Sequence, residues 1–383
     1  MSFLMILIFS LSYVTALAVP ARGDELRGAW VTAWNPGFFT PAEADATIKA
    51  AKDANLNALF VQVRKAADAY YNSTLEPHAA DFAPDFDPLA YIIDKAHAEG
   101  IQVHAWLNVY RVWKDEEMPT DPNHLVNRHP DWLNKTCGGA VRASEGIYVD
   151  PGVPEARDHF ASVVAEVASR YDVDGIHLDY IRYPGREWGY SDAALSRYYA
   201  QAGSTTRPKP DDPKWLRWRR EQVTEMVKMV RERVRAAKPN VRLSAATISW
   251  GDCPASFYAS SPYVKVCQDW RSWLANGLLD ANVPMNYKVE TSSNAAREFR
   301  NWLTGFKKWS AGKPVYVGIA VYNNEVADTV KQIEAVRKAR HDGFVLFSFN
   351  QSARRAALVN ALKQGPCSAS APAPSAPPSK PST

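Results

Sequence analysis

Short apolar runs alternate with amphipathic segments along most of this chain, and the alternation repeats eight times between residues 26 and 363. The first run, RGAWVTAW (27–34), precedes a helix signalled by Thr40 as N-cap and Pro41 at the first helical position. ALFVQVR (58–64) precedes a helix from Pro88 to Glu99, closed by Gly100. QVHAWLNV (102–109) leads through a long insertion to a helix from Pro154 to Tyr171. GIHLDYIRY (175–183) is the fourth strand, followed by another long loop and a helix over 213–237. RLSAATIS (242–249), DANVPMNY (280–287), PVYVGIAV (314–321) and GFVLFSFN (343–350) are strands five to eight, with helices predicted around 268–276, 293–308, 324–340 and 353–363.

The strands are continuous runs of Val, Ile, Leu and Ala, the pattern expected of parallel strands covered on both faces. Eight strand–helix units in about 340 residues predict the α/β class, a (β/α)8 TIM barrel as one domain over 24–364. An open doubly wound sheet would carry a GxGxxG or phosphate-binding loop after a strand, and neither sequence occurs. Segments following strand C-ends are long (110–153, 184–212, 250–267), whereas helix-to-strand turns are short. A binding site is therefore expected on the C-terminal rim.

The two ends read differently. Residues 3–19 are almost all apolar and finish at Ala16-Leu17-Ala18, so residues 1–18 are expected to be a signal peptide and the protein to be exported. No Lys or Arg precedes Arg22, and a retained membrane anchor is the competing reading. No other stretch reaches membrane-spanning length. From 366 to 383 Pro, Ala and Ser dominate, as in a disordered tail or linker.

Charge excludes some partners. Forty-five basic against 41 acidic residues give a formal net charge of +4, with no basic stripe interleaved with aromatics, so nucleic acid is not expected. No zinc-ligand spacing occurs, and neither metal nor cofactor is expected. Four cysteines suit an oxidising compartment: a Cys253–Cys267 bridge would close a short loop and stabilise by about 3 kcal/mol, with Cys137 and Cys367 left to pair or stay free.

Polar residues at strand ends carry the candidate chemistry. Spacing of two places Gln62 with Arg64, His104 with Trp106 and Asn108, His177 with Asp179, and Asn282 with Pro284 and Asn286, while Tyr287 and Glu290 lie just beyond. Hydrolysis of a glycosidic bond needs one carboxylic acid to protonate the leaving oxygen and a second carboxylate to stabilise or attack the oxocarbenium-like centre. Asp179 is the candidate for the second role, held ionised by Arg64 or Arg182. Glu290 is the first candidate for the acid, followed by Asp252 and Asp68. Trp106, Tyr110, Trp113, Trp188, Trp250 and Tyr287 offer flat faces for sugar rings, and Gln62, Asn108 and Asn286 offer hydrogen bonds to hydroxyl or acetamido groups. His177 reads as a packed core residue.

RGAWVTAW, FVQVRKAADAYYNS (60–73), FDPLAYIIDKAHAEGIQVHAWLNVYR (86–111), GIHLDYIRYP (175–184), QDWRSWLANGLLDANVPMNY (268–287) and GFVLFSFN, in that order, resemble the family-10 glycosyl-hydrolase-like group of exported bacterial proteins. The resemblance implies a (β/α)8 barrel acting on glycans; members are associated with peptidoglycan, including enzymes that cut strands stripped of stem peptides. It places the acidic residue of the strand-four motif at Asp179, and QVR at Gln62 and Arg64. The family pattern has Gly-Asp before the Tyr of the second motif, where this chain has Ala67-Asp68, and often a Gln where it has Met285-Asn286-Tyr287. Two functions follow as expectations: a glycoside hydrolase with a polysaccharide substrate, or a non-catalytic glycan-binding barrel. A carboxylate facing Asp179 separates them. A metal-dependent deacetylase would want an Asp/His/His cluster that His104 and His177 do not supply.

Overall fold

The computed structural model describes residues 25–83, 85–350 and 353–368, so the expected signal peptide and all but the first residues of the expected tail lie outside the described residues. In chain order the strands are β1 (Leu26–Val31), β2 (Ala58–Arg64), β3 (Gln102–Asn108), β4 (Arg111–Trp113), β5 (Arg142–Ala143), β6 (Gly146–Tyr148), β7 (Gly175–Asp179), β8 (Arg242–Ile248), β9 (Ala281–Met285), β10 (Tyr316–Ala320) and β11 (Gly343–Phe347). β1 pairs in parallel with β2 on one side and with β11 on the other, which closes the sheet. The barrel order is β1-β11-β10-β9-β8-β7-β3-β2, eight parallel strands with helices between them: a (β/α)8 barrel.

Local chemistry sets the helix starts. The Thr40 hydroxyl accepts from the Glu43 N–H ahead of the helix Pro41–Asp53, and Asp87 and Asp212 cap Pro88–Ala98 and Pro213–Ala237 in the same way. Within the last of these, Trp215 and Trp218 are buried, but so is Arg219, whose Nη1 donates to the Trp188 carbonyl at 2.6 Å. Among the described residues no helix is long and apolar enough to cross a membrane.

Two apolar layers hold the barrel. Its interior is filled by Leu26, Trp30, Phe60, Trp106, Val283, Tyr316 and Val345 with smaller neighbours, while a larger shell packs strands against helices. Trp30 is central: its ring meets Phe60, Trp106, Tyr287 and Phe347, and its N–H donates to His177 Nε2 at 3.1 Å. His177 also bonds Ser244 Oγ at 2.9 Å, and burial drives its pKa well below the usual imidazole value, so it is a neutral core residue.

Two irregularities re-aim side chains. The β2–β3 register shifts between Gln62 and Arg64, so Gln62 pairs with inward Trp106 whereas Arg64 pairs with Leu107, a residue of the outer shell. Ala67, where the family pattern carries glycine, takes φ 58°. The insertion after β3, expected only as a loop, builds a three-stranded sheet in the order β4-β6-β5.

The expected Cys253–Cys267 bridge is absent: all four cysteines are free. Both thiols pack in the outer shell but at different depths. Cys267 is wholly buried in the outer shell, while Cys253 sits against Gly305 of the helix Ser293–Trp309, where an added Cβ would lie 2.4 Å from its Sγ.

Candidate active site

Strand β7 ends at Asp179 because Tyr180 takes φ 50°, a left-handed turn that stops the strand short of the expected residue 183. The Asp179 side chain points into a cavity of about 350 Å³ at the C-terminal end of the barrel, within the range of small-ligand pockets. Its Oδ1 accepts from the Tyr180 N–H at 2.6 Å and its Oδ2 from the Trp106 indole N–H at 3.2 Å. Burial nevertheless pushes its pKa above the usual carboxylate value; the Tyr180 N–H, Arg182 and Arg111 oppose this, and Glu145 adds to it. An arginine was expected to lower the Asp179 pKa; Arg182 does act in that direction, but desolvation outweighs it.

The second carboxylate of the cavity wall is Glu145, which sequence reasoning missed. It sits in the turn between β5 and β6, and Gly146 shapes that turn: at φ 119°, a Cβ there would fall 2.0 Å from the Trp113 carbonyl oxygen. Arg182 donates through Nη2 to both Glu145 oxygens at 3.0 Å, and the Tyr148 hydroxyl donates to Oε2 at 2.9 Å. These contacts fix the carboxylate in place, and its side chain is 37% exposed. Asp179 and Glu145 thus differ in environment, one buried with a raised pKa and one ion-paired. The contrast suits a proton donor and an anion in turn.

Of the residues expected at the site, Gln62, Trp106, Arg182, Trp250 and Tyr287 line the cavity together with Asp179. Gln62 is held by the Thr32 hydroxyl and Ala33 N–H on Oε1, both at 3.0 Å, and by Asn108 on Nε2. Trp250 is 42% exposed at the mouth, opposite in kind to Trp106, which is buried. Tyr110, Trp113 and Trp188, expected as sugar-stacking faces, do not line it, and neither do Arg64, Asn108, Asn286 and Glu290. Arg64, turned outward by the register shift, forms a fully buried pair with Glu76 at 2.6 Å. Asn108 braces Gln62 and donates to the Lys65 carbonyl. Asn286 donates outward to the Phe299 carbonyl, because β9 presents Val283, Met285 and Tyr287 inward rather than Asn282 and Asn286.

Glu290, expected as the acid, lies outside the cavity wall. Arg300 grips both its oxygens, at 2.5 and 3.2 Å, and Gln332 donates to Oε2 at 3.3 Å, so the carboxylate faces the helix Ser293–Trp309 side and not the cavity. Asp252 caps the Cys253 N–H and accepts from Asn301, and Asp68 is half-buried, accepting from the Lys65 and Ala66 N–H groups. Neither lines the cavity. Glu145 was detectable only as an acidic residue in the long insertion after strand three; Trp34, which ends the first apolar run, Tyr180 and Tyr322 are also in the wall and were not singled out from the sequence. Among the described residues no group of three or more His, Cys, Asp or Glu is placed to hold a metal ion.

Known proteins share this architecture. Glycosyl hydrolase YngK of Bacillus subtilis (strain 168) is 29% identical over 336 residues, 79% of this chain and 62% of its own length. Glycosyl hydrolase DigH of Escherichia coli (strain K12) is 28% identical over 293 residues, 70% of this chain and again 62% of its own. The chain therefore spans less than two thirds of these relatives. Among solved structures, the PgaB (BpsB) glycoside hydrolase domain from Bordetella bronchiseptica superposes with a TM-score of 0.65 at 12% identity, covering 88% of this chain and 98% of that one. A β-galactosidase from the psychrophilic Marinomonas ef1 gives 0.63 at 13% identity, covering 88% and 58%; at such identities the likeness is one of fold. Residues 25–335 match the glycosyl hydrolase-like 10 family, and the chain belongs to that family.

Proposed function

We propose that this protein is an exported glycoside hydrolase that cuts amino-sugar glycan strands, with peptidoglycan as the substrate class. The observation that carries the reading is the pair of carboxylates in one aromatic-walled cavity, Asp179 buried and Glu145 ion-paired. Family membership and the glycosidase names of the relatives support the reaction class; the apolar residues 3–19 support export.

In this reading Asp179, buried at the cavity wall, protonates the glycosidic oxygen, and Glu145 meets the developing positive charge at the anomeric carbon, either bonding to it or deprotonating a water. Arg182 orients Glu145 by donating to both of its oxygens. Trp106, Trp250 and Tyr287 supply flat faces for the sugar rings. This assigns Asp179 the donor role rather than the anionic role first expected of it, on the electrostatics above.

The test is incubation with purified wall glycans, intact and peptide-stripped, followed by mass spectrometry of soluble fragments. New reducing ends, lost in Asp179→Asn, are expected. Binding without any cleavage would instead favour a glycan-binding barrel.

A further inference from the structure

The N-terminal end of the barrel, opposite the cleft, has a cavity of its own. It holds about 530 Å³ at the starts of β8 to β11, with Arg231, Arg235, Arg242, Asp280, Tyr316 and Asp342 in its wall. Its two carboxylates are already engaged. Asp280 pairs with Arg231 at 2.6 Å and accepts from the Leu243 N–H, and Asp342 accepts from the Val315 N–H at 3.0 Å. Arg235 and Arg242 are exposed, and among the described residues neither forms an ion pair.

Further cations surround this cavity. Lys307 and Lys313 flank the turn before β10, and Lys338 and Arg340 the turn before β11. Lys313 is half-buried and the other three are exposed; among the described residues none of them is ion-paired. Because β8, β9, β10 and β11 are neighbours in the barrel, the six charges share one arc of this face. Glu232 and Glu334, exposed one turn earlier on two of the helices, leave the arc positive. The whole chain carries only +4, so its positive charge is concentrated here. The helix macrodipole accounts for Arg235, Lys307 and Lys338, which lie in last helical turns. It does not account for Arg242, Lys313 and Arg340, which lie beyond the helix ends.

Both ends of the described chain meet the same face. Leu26 pairs with Gly343 at the start of β11, and Glu25 is tied to Arg337 at 2.7 Å, so the apolar stretch 3–19 joins the barrel beside the arc. The Cys367 carbonyl accepts from Asn55 Nδ2 at 2.6 Å, in the turn before β2.

We propose that this face docks on an anionic lipid bilayer, with headgroup phosphates seated at Arg235 and Arg242, so that the cleft at the other end points away from the membrane. A bilayer offers phosphates to the arc and an apolar phase to the stretch that joins the barrel beside it; a soluble polyanion offers only the first. The docking face lies at the opposite end from Asp179 and does not depend on glycan cleavage.

The experiment titrates the full chain with sedimentable vesicles of phosphatidylcholine, alone or with about 30% phosphatidylglycerol. The apolar stretch contributes to both, so the difference reads the cations. Each Lys or Arg near an anionic surface changes partitioning about fivefold. The phosphatidylglycerol vesicles should therefore bind at least about tenfold tighter, with the advantage shrinking at high salt. Arg235→Gln combined with Lys338→Gln should weaken that binding about tenfold. Lys114→Gln combined with Arg128→Gln, the same change of charge on the exposed insertion after β3, should leave it within about twofold. A bimane label on Asn240→Cys, in a Cys137→Ser background, should be quenched by nitroxide headgroup lipids; a label on the native, exposed Cys137 should not. Equal binding to the two vesicle types, equal loss in the two paired variants, or quenching confined to Cys137 overturns the proposal. Binding to inorganic polyphosphate as tight as to the vesicles also overturns it, in favour of a soluble polyanion.

Discussion

The indole N–H of Trp106, on β3, donates to Oδ2 of Asp179, on the neighbouring strand β7, at 3.2 Å. A hydrogen bond to the ionised carboxylate favours that form and works against burial, which has already raised the Asp179 pKa. Trp106→Phe removes the donor while keeping an aromatic face. The Asp179 pKa should then rise further, and the high-pH limb of kcat/KM should move up by about 0.5–1 unit. A limb that stays in place would show that it reports a group other than Asp179.

Glu145 and Glu290 are separated by a paired substitution. Glu145→Gln removes the anion from the cavity and leaves the buried Arg182 charge uncompensated, so turnover should fall by about 10²–10⁴. Glu290→Gln breaks the Arg300 contact outside the cavity; turnover should stay within about twofold and stability within about 1 kcal/mol. Comparable losses in both variants would return a catalytic role to Glu290.

Behind the site, Arg64 and Glu76 are an ion pair with 1% exposure on each side, joined by His159 at 3.3 Å from Glu76. Burial alone would raise the Glu76 pKa, but Arg64 and His159 reverse the effect and bring it down to about 2 from 4.5. The folded form therefore binds its proton less readily than the unfolded chain. The pair's contribution is complete above about pH 4.5 and disappears as the pH falls through about 2. Thermal melts from pH 6 to pH 2 should show Tm falling across this window, less steeply in Glu76→Gln. Arg64→Ala, which strands the Glu76 carboxylate, should cost about 3–5 kcal/mol. An unchanged slope in Glu76→Gln would assign the acid sensitivity to other carboxylates.

The barrel was legible because strand and helix signals are local: Thr40-Pro41 and Asp87-Pro88 start helices where their side chains cap the first turn, and apolar runs are strands. Which side of a strand a residue faces was less legible. A spacing of two gives partners but not parity, and one shifted register after Gln62 sent Arg64 outside the barrel. In β9 the same ambiguity put Asn286 in the expected site, while Met285 and Tyr287 are the residues that reach it. Asp179 was found because a carboxylate ending a buried strand is costly in any register. Glu145 was not, since its place depends on a small hairpin sheet that reaches across the rim, and no period in the sequence marks that contact.

The four cysteines give a test of the packing independent of any substrate. Cys137 is exposed, Cys253 half-buried and Cys267 and Cys367 buried, and none is bonded to another. Burial raises the pKa of Cys253 and Cys367 to about 11 and raises that of Cys267, so little thiolate exists in these three at neutral pH. Timed alkylation of the native protein at pH 7.5 should modify Cys137 first and leave Cys267 untouched until the barrel unfolds. Alkylation in denaturant without reductant should modify Cys253 and Cys267 fully, and a reductant should leave Tm unchanged. Peptide mapping that recovers Cys253 linked to Cys267 would mean that the loop after β8 can leave its seat on Gly305, and with it the wall that carries Trp250.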